Sequence, residues 1–111
     1  MKANIIARHF TIADKTRKYI QTEIDERLEP VFDRIVDCRM IVEKEKGSYH
    51  AEIILNVPGD TLMAKETTEE LTKSVDFVVK KMLKQLTRYK NKWKKPVKSP
   101  LKQFESTSEA K

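Results

Sequence analysis

The sequence predicts an α+β domain in which a four-stranded sheet carries two helices on one face, in the order β-α-β-β-β-α. Three observations support this prediction. Apolar and polar residues alternate between residues 37 and 66, which is typical of strands. Apolar residues at helical spacing precede and follow that run. With 111 residues, the chain is long enough for a single modest core.

The N-terminal part predicts one strand and one helix. The stretch "ANIIARHF", residues 3–10, has Ile and Phe at the short spacing of a strand. Asp14 is expected to cap the helix that follows, and Pro30 is expected to end or kink it. The core-facing stripe of this helix recurs at every fourth position and consists of Thr16, Ile20, Ile24 and Leu28.

Residues 37–66 predict three strands joined by two tight turns. Gly47 marks the first turn, and Pro58-Gly59 has the residue types of a type II turn at the second. A right-handed crossover through the first helix would make strand 1 parallel to strand 2, with both helices on the same face of the sheet. The predicted inward-facing residues are Cys38, Met40, Val42, Ala51, Ile53, Leu55, Val57, Leu62 and Ala64.

The second helix is expected to begin behind a cap at Thr67 or Thr68 and to run to about Lys95, because Pro96 cannot continue it. Residues 96–111 contain two prolines, several Ser and Thr residues and little to bury, so they predict a disordered tail. The expected organisation is one domain over residues 1–95 followed by a tail over residues 96–111.

The net charge of +6 is concentrated on the second helix. Residues 1–68 carry 11 basic and 12 acidic side chains, whereas residues 69–95 carry nine basic and three acidic ones. On a helical wheel the basic side chains lie opposite the apolar arc, with one aromatic side chain among them that could stack on a base. This asymmetry predicts a polyanionic partner. The predicted RNA-binding residues are Lys73, Phe77, Lys80, Lys81, Lys84, Arg88, Lys92 and Lys95.

The sequence gives little indication of a metal site, a phosphate-binding loop or a catalytic site. His9 and His50 have no partners at metal-ligand spacing, and Cys38 is expected to be a small buried hydrophobic residue. Both glycines are assigned to turns, which leaves none for a phosphate-cradling loop. We therefore expect no enzyme activity, no catalytic residue, no metal, no cofactor and no small-molecule substrate.

A membrane role is not expected either. No apolar run approaches the roughly 18 residues that span a bilayer, and the N-terminus lacks the apolar core of a signal peptide. The apolar arc of the second helix is needed to cover the sheet, so it is not available for lipid. These observations predict a cytoplasmic protein without membrane contact.

Three stretches of the chain carry a family resemblance over about residues 3–93: "NIIARHFTIADKTRKYI", "LEPVFDRIVDCRMIVEKEKGSYHAEIILNVPGDTLMA" and "SVDFVVKKMLKQLTRYK". In this order they resemble the short form of the ribosome hibernation promoting factor family, which includes the ribosome-associated inhibitor and was once called sigma-54 modulation protein. The last stretch is similar to the family's Lys-Leu, Arg-Gln-Leu and Lys-Tyr-Lys pattern. The matching positions are Lys81, Lys84, Gln85, Leu86, Arg88, Tyr89 and Lys90.

The resemblance implies a fold similar to double-stranded-RNA-binding domains and binding to the rRNA of the small ribosomal subunit. The implied site is the channel through which mRNA and tRNAs pass. Occupancy there would inhibit translation and store ribosomes in an inactive state, as expected in a stress or stationary-phase response. We expect the free chain to be a monomer.

Two other functions stay open from the residues alone. The chain could be a general RNA-binding module that uses the same helix on structured RNA through shape and phosphate contacts. It could also be a regulator that binds a protein through the outer stripe of the sheet, which contains Ile41, Ile54 and Met63.

Overall fold

The computed structural model describes residues 2–94, and its elements follow the predicted order β-α-β-β-β-α. The expectations for Lys95 and for the tail over residues 96–111 lie outside the described residues. The strands are β1 (Asn4–Arg8), β2 (Asp37–Glu45), β3 (Ser48–Val57) and β4 (Asp60–Thr68), and the helices are α1 (Asp14–Arg27) and α2 (Leu71–Lys94).

The four strands form one mixed sheet in the order β1-β2-β3-β4. Strand β1 is parallel to β2, as the predicted crossover requires, and the other two pairs are antiparallel. Both hairpin turns contain a glycine with positive φ, 80° at Gly47 and 78° at Gly59. Residues with a Cβ rarely adopt this conformation, which explains why the turns form at these two positions. The fold class predicted from the sequence is confirmed.

The core lies between the inner face of the sheet and the two helices. Alternate residues of β2 and β3 are buried, and Ile20, Ile24 and Leu28 from the α1 segment pack into the same cluster as the apolar stripe of α2. Phe32 lies in the segment that connects α1 to β2, and its side chain belongs to the same cluster. Because each helix covers the sheet with one face only, its opposite face is left to the solvent.

Two predicted boundaries in the N-terminal part are corrected by the structure. Strand β1 covers Asn4–Arg8 rather than residues 3–10, because His9 has a φ of 66° and leaves the extended conformation. Helix α1 is capped by Ala13 without a side-chain hydrogen bond, so Asp14 is its first residue and not its cap. A carboxylate in that first turn still stabilises the helix through its dipole.

The expected cap of α2 at Thr67 or Thr68 is wrong. Strand β4 continues through Thr68, which is paired with Tyr49, and the helix begins only at Leu71. The hydroxyl of Thr68 instead donates to the carbonyl of Glu70 at 2.7 Å and accepts a hydrogen bond from the N–H of Glu70 at 3.1 Å. Pairing in the sheet has therefore taken priority over the capping preference of threonine at these positions.

Candidate nucleic-acid interface

Helix α2 is fixed on the sheet by an apolar stripe, and this stripe decides which side chains face outward. Five residues of the stripe are fully buried, namely Val75, Val78, Val79, Met82 and Leu86. Farther along, the ring of Tyr89 packs edge-on against Phe32 with centroids 5.3 Å apart, and its hydroxyl donates to the carbonyl of Pro58. The rotation of α2 about its axis is therefore set over most of its length.

The outer face of α2, by which we mean Lys73, Phe77, Lys80, Lys84 and Arg88, lies opposite the stripe. All five side chains are exposed. Lys92 is exposed one turn beyond this face. Within residues 2–94, the ion pairs of the protein do not include Lys73, Lys84, Arg88 or Lys92. The structure thus leaves four of the eight predicted RNA-binding residues, Lys73, Lys84, Arg88 and Lys92, as exposed cations without an anionic partner within residues 2–94.

Asp76 is the one acidic residue of α2, and its charge is already neutralised. Asp76 binds the guanidinium of Arg27 from α1 at 2.6 Å and the ammonium of Lys80 at 3.3 Å. The hydrogen bond from Arg27, together with Lys80, lowers the pKa of Asp76 below its ordinary value, and the pKa of Arg27 is raised by Asp76 and Glu23. Asp76 therefore ties α2 to α1 and leaves the other lysines of the outer face uncompensated.

Phe77 gives the outer face an aromatic surface. Its side chain is 42% exposed, although a large apolar group normally lies in a core. The ammonium of Lys80 lies 5.9 Å from the centre of its ring. An exposed ring flanked by cations can stack on a base while neighbouring side chains contact phosphates.

Lys81 is placed differently from the other predicted RNA-binding residues. Its ammonium binds the carboxylate of Glu66 at 2.8 Å and donates to the main-chain carbonyl of Lys65 at 3.0 Å. One turn later, the amide of Gln85 donates to the carbonyl of Met63 at 2.6 Å. Lys81 therefore points along the β4 side of the helix rather than outward.

Ser74 is a structural residue that was not singled out in the sequence. It is fully buried at the start of α2, where its hydroxyl donates to the carbonyl of Tyr49 at 2.7 Å and accepts from the N–H of Thr68 at 3.0 Å. The hydroxyl thus bridges the last pair of β3 and β4 and joins α2 to the sheet. A small polar residue at the margin of the apolar stripe is the signal that could have revealed it.

The other polar candidates form local contacts. His9 lies 3.2 Å from Glu43, and His50 contacts Glu45 and Thr67. Residues 2–94 contain no group of three or more side chains that could hold a metal ion. Cys38 is buried, as predicted, and burial raises the pKa of its thiol to about 12. Among the helices of residues 2–94, none has the length and apolar character to cross a membrane.

Comparison with known proteins shows to which family the chain belongs. The family model described as "Sigma 54 modulation protein / S30EA ribosomal protein" matches residues 3–94, which is most of the chain. The chain belongs to this family. The family resemblance inferred from the three sequence stretches is confirmed, and the stretch with the basic helix lies inside the matched region.

Two relatives of this S30EA family member share a name. A protein from Pseudomonas putida named "Ribosome hibernation promoting factor" is 28% identical over 90 residues, which cover 81% of this chain and 87% of the relative. The protein of the same name from Escherichia coli K12 is 26% identical, with 81% and 94% covered.

Two solved structures have the fold of this S30EA family member. A ribosomal subunit interface protein from Coxiella burnetii has a TM-score of 0.75 at 23% identity and covers 81% of this chain and 98% of its own. The N-terminal domain of Protein Y from Thermus thermophilus has a TM-score of 0.74 at 23% identity, with 80% and 99% covered. At this identity the likeness concerns the fold alone.

Proposed function

We propose that this protein is a non-catalytic hibernation factor that binds the small ribosomal subunit through the outer face of α2. It occupies the channel of mRNA and tRNAs, inhibits translation and stores cytoplasmic ribosomes in an inactive state. Membership of the S30EA family and the shared name of the curated relatives support the ribosome as the partner. The small subunit and its channel are proposed from the family resemblance, and the binding surface is proposed from the geometry of the outer face.

The observation that carries the proposal is the positive charge of the outer face, where Lys73, Lys84 and Arg88 have no anionic partner within residues 2–94. Lys80, Lys84 and Arg88 recur at every fourth position, where side chains on a helix are neighbours. Like charges at this spacing destabilise a free helix by about 0.2 to 0.5 kcal/mol per pair. Phosphates of rRNA would remove this repulsion, so the face is better suited to a polyanion than to water.

The geometry also favours contact with the RNA backbone over reading of bases. Lysine and arginine at the end of long side chains recognise phosphates without sequence information. Among the five residues of the outer face, Phe77 is the one with an aromatic ring on which a base could stack. The proposed specificity for the ribosome therefore comes from matching the shape of a folded rRNA site rather than from a base code.

The experiment is a charge reversal with a matched control on the other helix. Lys84→Glu with Arg88→Glu reverses two cations of the outer face of α2, and Lys15→Glu with Lys18→Glu reverses two exposed cations of α1. Both double variants change the net charge equally. Binding to purified small subunits, large subunits and a simple RNA duplex is measured by cosedimentation, and circular dichroism confirms folding.

We expect the α2 variant to lose saturable binding to small subunits, with at least a tenfold weaker Kd, while the α1 variant stays close to the unmodified protein. Equal losses in both variants would show that overall charge, not the outer face, is responsible. Binding to the duplex as tight as to small subunits would favour a general RNA-binding module instead.

A further inference from the structure

The sheet has two outer strands, β1 and β4, and each exposes one row of main-chain groups that no neighbouring strand pairs. Such an edge is a template for adding a strand from another chain, and natural proteins block it with charges, bulges or covering elements. In this protein the helices supply side chains that reach both edges.

On the β4 edge, Lys81 donates to the carbonyl of Lys65 and Gln85 donates to the carbonyl of Met63. These two strand residues lie two positions apart, so their main-chain groups point to the same side, away from β3. Nearer the start of β4, the carboxylate of Asp60 accepts from the outward N–H of Thr61 at 2.8 Å. Part of the edge is therefore already hydrogen-bonded within the chain.

The β1 edge repeats the arrangement. Arg17 of α1 donates to the carbonyl of Ile5 at 3.1 Å, and the N–H of Ala3 donates to the side-chain oxygen of Gln21 at 3.0 Å. In each helix a basic residue is followed four positions later by a glutamine. We call the pairs Arg17–Gln21 and Lys81–Gln85 the edge clasps.

Elementary geometry explains the shared spacing. Four residues of an α-helix rise about 6 Å, and two residues of a strand advance about 6.6 Å. In both clasps the basic residue contacts the later strand residue and the glutamine contacts the one two positions earlier, so helix and strand run in opposite directions. A long cation and a long amide at this spacing can therefore reach successive outward groups of the edge strand.

We propose that the edge clasps keep the sheet closed to strand addition, and that the partner they exclude is a second copy of this chain pairing through β4. Strand β4 has nine residues against five in β1, so it offers the longer ladder. Two copies of β4 related by a two-fold axis at Ala64 would pair antiparallel and join two four-stranded sheets. This register places Lys65 of one copy opposite Met63 of the other, without like charges face to face.

The test opens the β4 clasp with Lys81→Ala and Gln85→Ala together. The matched control is Lys84→Ala with Asn91→Ala, which also removes one cation and one amide from exposed positions of α2. Sedimentation velocity over a hundredfold range of concentration is expected to show the apparent mass of the clasp variant rising twofold from 13.0 kDa, while the control stays at 13.0 kDa.

Amide hydrogen exchange identifies the surface involved. The N–H groups of Met63 and Lys65 point away from β3, and we expect their exchange to slow at least tenfold when the clasp variant associates. A folded variant that stays monomeric overturns the proposal, and so does association without slower exchange at these two amides. Should the double variant lose its fold, Gln85→Ala alone repeats the test, because it frees the carbonyl of Met63 and keeps the ion pair of Lys81 with Glu66.

Discussion

Helices α1 and α2 have the same task in the fold but very different outer surfaces. Each buries an apolar stripe against the same core, and each places a basic residue and a glutamine on an edge strand. The exposed surface of α1 mixes Lys15 and Lys18 with Glu26, whereas the one acidic residue within α2, Asp76, is held by Arg27 and Lys80. Since packing and edge contacts are alike, the fold does not account for the excess positive charge of α2, which is why we propose that this charge serves a partner.

Shortening one buried side chain in each apolar stripe tests whether α1 and α2 pack against the same core. Ile24 in α1 and Leu86 in α2 are both fully buried, and we expect Ile24→Ala and Leu86→Ala to lower the free energy of unfolding by about 3 kcal/mol each. Urea unfolding measures both, with the exposed Lys73→Ala as a control that stays within about 0.5 kcal/mol. A loss below about 1 kcal/mol at either site would mean that the two helices do not share one core.

A smaller effect is expected where the helices meet through Asp76. Its partly exposed ion pairs with Arg27 and Lys80 contribute about 0.5 to 1 kcal/mol, so Asp76→Asn should lower the free energy of unfolding by that amount at neutral pH. The pKa of Asp76 is lower in the folded protein than its ordinary value of 3.8. Its contribution is therefore present above pH 3.8 and is lost as the pH falls through the lower folded pKa.

The measurement for Asp76 is the difference in unfolding free energy between the variant and the unmodified protein from neutral pH to pH 3. An exposed acid of α1 supplies the control, Glu26→Gln, for which no comparable difference in unfolding free energy is expected. A difference for Asp76→Asn that is independent of pH would contradict the proposed ion pairs.

Much of the fold follows from the sequence because its signals are local and periodic. Alternation in β2 and β3 predicted the buried residues, and Gly47 and Gly59 predicted the hairpin turns. The start of α2 was not predictable in this way. Thr68 has the chemistry of a cap, yet pairing with Tyr49 on a strand distant in sequence keeps it in β4.

The candidate site, like the fold, was predictable from the sequence only in part. The helical wheel identified which basic residues lie opposite the stripe, and the structure finds Lys73, Lys84 and Arg88 exposed. The helical wheel could not show that Lys81 turns toward Glu66, because that contact depends on where β4 lies along the axis of α2. Single-residue contacts between elements are tertiary information, which the spacing within one helix does not contain.

The salt dependence of binding tests the central claim, that α2 and not α1 carries the contacts to rRNA. If about four to six cations engage phosphates, the slope of log K against log salt is near −3 to −5, since each contact contributes roughly 0.7 to 0.9. Replacing Lys84 and Arg88 by Ala is expected to make the slope shallower by about 1.4 to 1.8, and replacing Lys15 and Lys18 is expected to leave it unchanged. A slope near zero for the unmodified protein, or equal changes in both variants, would contradict the account.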